Sequence, residues 1–435
     1  MRQMKNSGIE WVGDIPDSWK IERMKSCIIS REGGAWGDEE TGYNDTICLR
    51  IADFDYDRFV FKDTAISELT KRHYGKNTIL KLKLIKGDIL IEKSGGGEKT
   101  PVGRTVIFDK EYLAVFANFM DRLRCREFVY PKFMQYIFVT FYKNQYTRNY
   151  IKQTTGIQNL DLSLMLNKEH VPVPPVEEQK RIAGFLDKKC GEIDGLIADI
   201  KTQVQTLEQY KRSVITEAVT KGLNPSAEMK DSGAGWMPFV PAHWLVEKIK
   251  YHLRIRGQKN MGDRQVLSLY RDYGVVPKDS RDNNHNVTSE DTSTYRFVRV
   301  GDFVVNKMKA WQGSVAVSQY EGIVSPAYYV YEFTDNLFNK RYFHYLLRNK
   351  TYTTEFMRLS GGIRVGQWDL PAEAFENTVV LIPPADEQKE IADYLDNKCA
   401  QIDELISAKQ SQIETLESYK KSLIYEYVTG KKEVI

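Results

Sequence analysis

The segment Glu92-Lys93-Ser94-Gly95-Gly96-Gly97-Glu98-Lys99-Thr100 sets three glycines between lysines, which is the raw material of a phosphate cradle. A P-loop needs glycine directly before its lysine, so that backbone amides wrap the phosphate. Glu98 holds that place here, and a carboxylate repels phosphate, so nucleotide binding is not expected. The glycine-rich run Ser94, Gly95, Gly96 with Lys93, Lys99 and Arg104 around it better suits close approach to a DNA backbone or groove. An ordinary hairpin turn is the competing reading. Further on, Lys307, Lys309, Trp311 and Gln312 fall in one short segment. Lysine pairs guanine, glutamine pairs adenine through two hydrogen bonds, and tryptophan packs on a sugar or a thymine methyl. A strand end with a core tryptophan is the alternative there.

Two basic stretches extend this pattern. Tyr142 to Gln153 carries Lys143, Arg148 and Lys152 with no acid, and Lys340 to Arg364 carries six basic residues against Glu355. Basic residues interleaved with aromatics and amides suit phosphate contacts, although a solvated face is the plainer account. Polar glycine-containing loops follow both stretches, at Thr154 to Asn159 and at Ser360 to Arg364, with Gln158, Arg364 and Gln367 as candidate base readers.

Signatures of catalysis are missing. There is no GxSxG elbow, no HExxH and no metal-spaced His/Cys cluster. Asn224-Pro225 continues into Ser226, not into the proline and aromatic of an adenine methyltransferase. Asp187-x-Lys189 and Asp396-x-Lys398 form half a nuclease motif, and helix charge accounts for them better. Five cysteines without a CxxC pair argue against a disulfide framework or a zinc site.

The elements that must position these residues occur twice. The segment PPVEEQKRIAGFLDKKC from Pro174 aligns without a gap on PPADEQKEIADYLDNKC from Pro383, and the match runs on to Thr220 and Thr429. Upstream, Trp11, Pro16 and Trp19 fall on Trp236, Pro241 and Trp244, while Gly87-Asp88 and Lys93 answer Gly301-Asp302 and Lys307. The stretch after each proline pair has helical spacing. Ile182, Leu186, Cys190, Ile193, Ile197, Ile200, Val204, Leu207 and Val214 recur mostly every three or four residues, as do Ile391, Leu395, Cys399, Ile402, Ile406, Ile413, Leu416 and Leu423. That is a heptad seam, and two such stripes can bury each other as a coiled coil. Lys409 interrupts the second seam where the first has Ile200. A helix of this length spans on the order of 65 Å, more than one domain needs. The helices read as spacer and docking platform, because Leu196, Leu405, Tyr210 and Tyr419 widen the apolar face beyond the seam.

The division expected is a globular unit at 1–173, a long helix at 174–222, a second globular unit at 223–382 and a second helix at 383–435. Short alternating runs before aromatic-rich helical runs make each globular unit mixed α+β. The whole chain of 435 residues carries a formal net charge of +3, so any DNA surface must come from local clustering. No apolar stretch is long enough for a membrane span, and the simplest location is the cytoplasm.

The chain resembles the specificity subunits of type I restriction–modification systems. The resemblance rests on the GxxWxxxxPxxW-like openings at Gly8 and Gly233, the PPxxEQ helix starts at Pro174 and Pro383, and the divergent domains between them. It implies two tandem target-recognition domains separated by two antiparallel coiled-coil helices with pseudo-twofold symmetry. Each domain is then expected to read one half of a bipartite site in double-stranded DNA. The helices are expected to dock two methyltransferase subunits, and restriction motor-nuclease subunits complete the assembly. The chain itself would have no catalysis and no cofactor, with S-adenosylmethionine, ATP and Mg only on partner subunits. A coiled-coil scaffold with protein-binding units, and a stand-alone nuclease, are the rival readings.

Overall fold

The architecture comes from a computed structural model, which describes residues 2–153, 156–259, 261, 264–271, 273–280, 291–362 and 368–434. The chain forms two compact units, Met1–Lys201 with Ser411–Ile435, and Thr202–Gln410. Two continuous helices dominate, Val176–Lys221 and Ala385–Val428. Each begins just past its Pro-Pro pair, where proline tolerates the first turn, and each carries acids in that turn that favour the positive end of the helix. The helices are not separate bodies. Each unit takes the start of its own following helix and the end of the other one.

Within the first unit the two helical segments run antiparallel. Lys420 Nζ lies 2.6 Å from Asp194, and the Phe185 and Tyr427 rings sit 4.5 Å apart. Within the second unit Lys211 Nζ lies 2.6 Å from Asp403. In the gap-free alignment Asp194 falls on Asp403 and Lys211 on Lys420, so one ion pair is built twice. Lys409, the break in the seam, donates to Gln203 of the facing helix.

The seam residues divide by depth. Ile182, Leu186, Ile193, Ile197, Ile391, Leu395 and Ile402 are buried, because a globular domain covers that part of the helix pair. Leu207, Ile406 and Leu416 are only half-buried. Tight core packing therefore belongs to the helix ends that meet a domain.

Each globular domain is built around a four-stranded antiparallel sheet with the same order. In the first it runs Thr105–Ile107, Ile89–Glu92, Met120–Cys125, Ile28–Gly33. In the second it runs Val315–Val317, Phe303–Asn306, Tyr328–Phe333, Leu253–Ile255. A second ladder ties the domain's opening to its close, Lys20–Arg23 on His170–Val173 and Leu245–Lys248 on Val379–Ile382. The opening tryptophans are core: Trp19 and Trp244 are fully buried, Trp19 among residues that include Leu423 and Val428, and Trp244 among Val214 and Val219. Burying one such ring contributes about 3 kcal/mol. The shared Gly-Asp turns are also structural. Gly87 and Gly301 have φ near +90°, and Asp88 and Asp302 each accept a two-pronged bond, from Arg124 and Arg256.

Candidate nucleic-acid interface

In the first unit the fold gathers segments that lie far apart in sequence. Ser94–Gly95 pairs with Gln158–Leu160, which in turn pairs with Ile151–Gln153. The glycine-rich loop, the basic stretch and the polar loop after it thus meet in one small sheet. Leu160 N donates to Lys93 O at 2.7 Å, and Lys93 N donates to Phe119 O at 2.9 Å. The second unit repeats this construction. Leu370 N donates to Lys307 O at 2.9 Å, and Lys307 N donates to Ala327 O at 3.2 Å. Lys307 and Trp311 therefore lie beside Trp368-Asp369. Arg364 and Gln367 lie outside the described residues.

Not every candidate side chain is available. Lys93 Nζ lies 2.7 Å from Asp121, which Arg31 also approaches at 2.6 Å, so one buried carboxylate holds two cations. Lys307 is held by Asp369 at 3.1 Å, and Lys152 by Asp161 at 2.8 Å, with the Lys152 ammonium still exposed. Lys99, Arg148, Lys309 and Gln312 are exposed. Ser94 Oγ bonds Asn159 at 2.6 Å across the small sheet. Trp311 is half-buried, packs at 5.6 Å against the tilted ring of Trp368 and donates its indole N–H to Met308 O.

Three candidates are corrected. Arg104 is buried, bonds Glu92 through Nε and Nη2 at 2.7 and 2.9 Å, and stacks on Tyr56 at 3.5 Å. It neutralises a buried carboxylate and has no charge to offer DNA. Gln158 is buried as well and accepts a bond from Val102 N, so it ties two loops together. Lys143 points away from the glycine loop. The residue is exposed, yet its ammonium lies over the Phe59 ring, where desolvation followed by repulsion from Lys420 depresses its pKa. The glycines serve their own turn. Gly96 has φ +60°, and a Cβ there would meet Thr100 O and Val102 N at 2.9 Å.

Sequence reading missed the residues that latch each domain to its helix. Gln179 accepts from Tyr130 N and donates to Phe128 O and Pro174 O; Gln388 accepts from Asn339 N and donates to Leu337 O and Pro383 O. Tyr136 donates to Asp187 at 2.7 Å, and Tyr345 donates to Asp396 at 2.8 Å. The half-nuclease aspartates are thus anchor points, more specific than general helix charge. A buried polar residue identical in both copies was the signal available. Trp368 was missed because its partner Trp311 lies far away in sequence. The five cysteines are free, and burial pushes the Cys190 thiol up to about 11. Among the described residues no cluster of His, Cys, Asp or Glu is placed to hold a metal, and no helix is long and apolar enough to cross a membrane.

Comparison with known proteins agrees with this picture. The family described as type I restriction modification DNA specificity domain matches residues 64–206 and 257–415. A Methanocaldococcus jannaschii protein bearing the name of the MjaX type I restriction enzyme specificity subunit is 26% identical, with 97% of this chain and 96% of that protein covered. The MjaVIII specificity subunit of the same organism is 24% identical over 68% of this chain and 70% of its own length. Among solved structures, a chain from a study of complex assembly in the type I R-M system superposes with a TM-score of 0.68 at 15% identity, covering 96% of this chain and 99% of that one. The HsdS subunit of Thermoanaerobacter tengcongensis gives 0.51 at 14% identity, covering 96% and 98%.

Proposed function

The chain belongs to the type I restriction modification DNA specificity family, and from that premise we propose that each unit reads one half of a bipartite site in double-stranded DNA. The observation that carries this is the loop assembly built twice with different side chains. The same backbone bonds hold Lys93 against Leu160 and Lys307 against Leu370, but one assembly presents Ser94, Lys99 and Arg148 and the other Lys309, Trp311 and Gln312. Shared scaffolding with divergent tips suits two different half-sites. Exposed cations supply phosphate contacts that fix register, and the amide and aromatic groups supply base discrimination.

The long helices form an antiparallel coiled coil with pseudo-twofold symmetry, and they set the unread gap between half-sites. They also dock two methyltransferase subunits. Leu196 and Tyr419 in the first unit, and Leu405 and Tyr210 in the second, are exposed at equivalent places in the repeat. Two equal patches suit two equal partners. S-adenosylmethionine, ATP and Mg belong to the methyltransferase and motor-nuclease subunits, and the assembly works in the cytoplasm. A protein-binding scaffold would not need basic loops rebuilt at the same place in each unit.

The test replaces Lys309 and Gln312 by alanine in the complex with its methyltransferase subunits. One half of the recognised sequence is expected to relax or disappear while the other half and the assembly persist. Loss of assembly, or equal loss at both halves, would overturn the assignment.

A further inference from the structure

The first unit carries an open cavity of about 440 Å³ that the loop reading does not use. Trp36, Ile51, Ala52, Ala117 and Phe119 give it an apolar wall, and Asn118 and Arg50, whose guanidinium lies 3.3 Å from Asp53, complete its lining. Trp36 and Phe119 are each about two-fifths exposed, at 41% and 45%, and together they line one apolar patch. Both are fixed. Ala35 N donates to Phe116 O and Gly34 N to Met120 O, while the Arg72 guanidinium lies 4.7 Å over the Trp36 ring. A Cβ at Gly34 would fall 2.2 Å from Ala117 O, so only glycine lets these two walls approach.

The cavity also sits at the reading end of the domain. Phe119 O accepts from both Lys93 N and Ser94 N, at 2.9 and 3.3 Å, so its wall and the glycine-rich loop are one rigid piece. Rings that hold an apolar surface open, flanked by two arginines and an amide, match the edge of a base pair in the major groove. There the apolar feature is the thymine 5-methyl, and the polar features suit arginine or asparagine.

We propose that this cavity is a specificity site of the first domain, with Trp36 and Phe119 receiving the methyl of one thymine and Arg50 and Asn118 set beside it. This rests on the DNA-specificity reading above. The test uses the complete chain with its methyltransferase subunits and duplexes carrying the methylated site. Each thymine is replaced in turn by deoxyuridine, which removes only the methyl. Binding is expected to weaken about fourfold at one position, the factor one buried methyl gives. Trp36→Ala and Phe119→Ala should still bind but bind both duplexes equally. If Trp36→Ala fails to assemble, the more exposed Phe119→Ala decides. Indifference to deoxyuridine at every position, variants that keep the fourfold penalty, or an assembled variant that loses all binding would each overturn the proposal. A complex with no two-part site would instead remove the specificity reading itself.

Discussion

At the scale of the residue, burial decides what a charge can do. Arg104 and Lys99 look alike in sequence, yet one neutralises Glu92 in the interior and the other meets solvent. His344 shows the same rule from the neutral side. It is half-buried, accepts a bond from Val317 N, and desolvation followed by the Arg348 charge lowers its pKa to about 3. The folded imidazole therefore stays neutral where the unfolded one protonates, near 6.5. Stability from this group is complete above pH 6.5 and falls as pH drops towards 3. Moving from pH 7 to pH 5 should cost about 2 kcal/mol. Hydrogen exchange in the helix Lys340–Arg348 should report the loss, and His344→Gln should flatten it. An unchanged slope in that variant would contradict the account. Sequence alone showed the residue types at the loops, but not these fates. Whether Arg104 faces Glu92 depends on which strands pair, and that is not written in local spacing.

At the scale of the element, the helices and their copies were legible because periodicity and repetition are local signals. The sheet order and the domain latches were not, since each joins segments far apart in sequence. The duplicated ion pair gives this scale its own test. Lys420 and Asp194 have side chains 10% and 13% exposed, and Lys420 also donates to Asp57 O. Their repeat partners Lys211 and Asp403 are 28% and 58% exposed. Removing one partner of a buried pair strands a charge, at about 3 kcal/mol, whereas an exposed pair contributes under about 1 kcal/mol. Lys420→Ala should therefore destabilise its helix end far more than Lys211→Ala does, as hydrogen exchange along each helix would show. Equal effects would mean that the repeat, not the environment, sets the energy.

At the scale of the whole molecule, the repeat explains why one chain carries two similar domains on two helices that match at roughly half their positions. On the proposed reading, shared positions hold the scaffold and its docking surfaces, and diverged positions make the two domains read differently. The docking part predicts a stoichiometry. Leu196→Glu alone or Leu405→Glu alone should leave one methyltransferase subunit bound in native mass spectrometry, and the double variant none. Two subunits retained by the double variant would place the platform elsewhere. The recognition part is tested most directly by expressing the chain with its methyltransferase subunits and mapping methyladenine across the genome. The account predicts one motif of two fixed blocks separated by a fixed unread gap. Methylation at a single continuous motif, or with no motif, would contradict it.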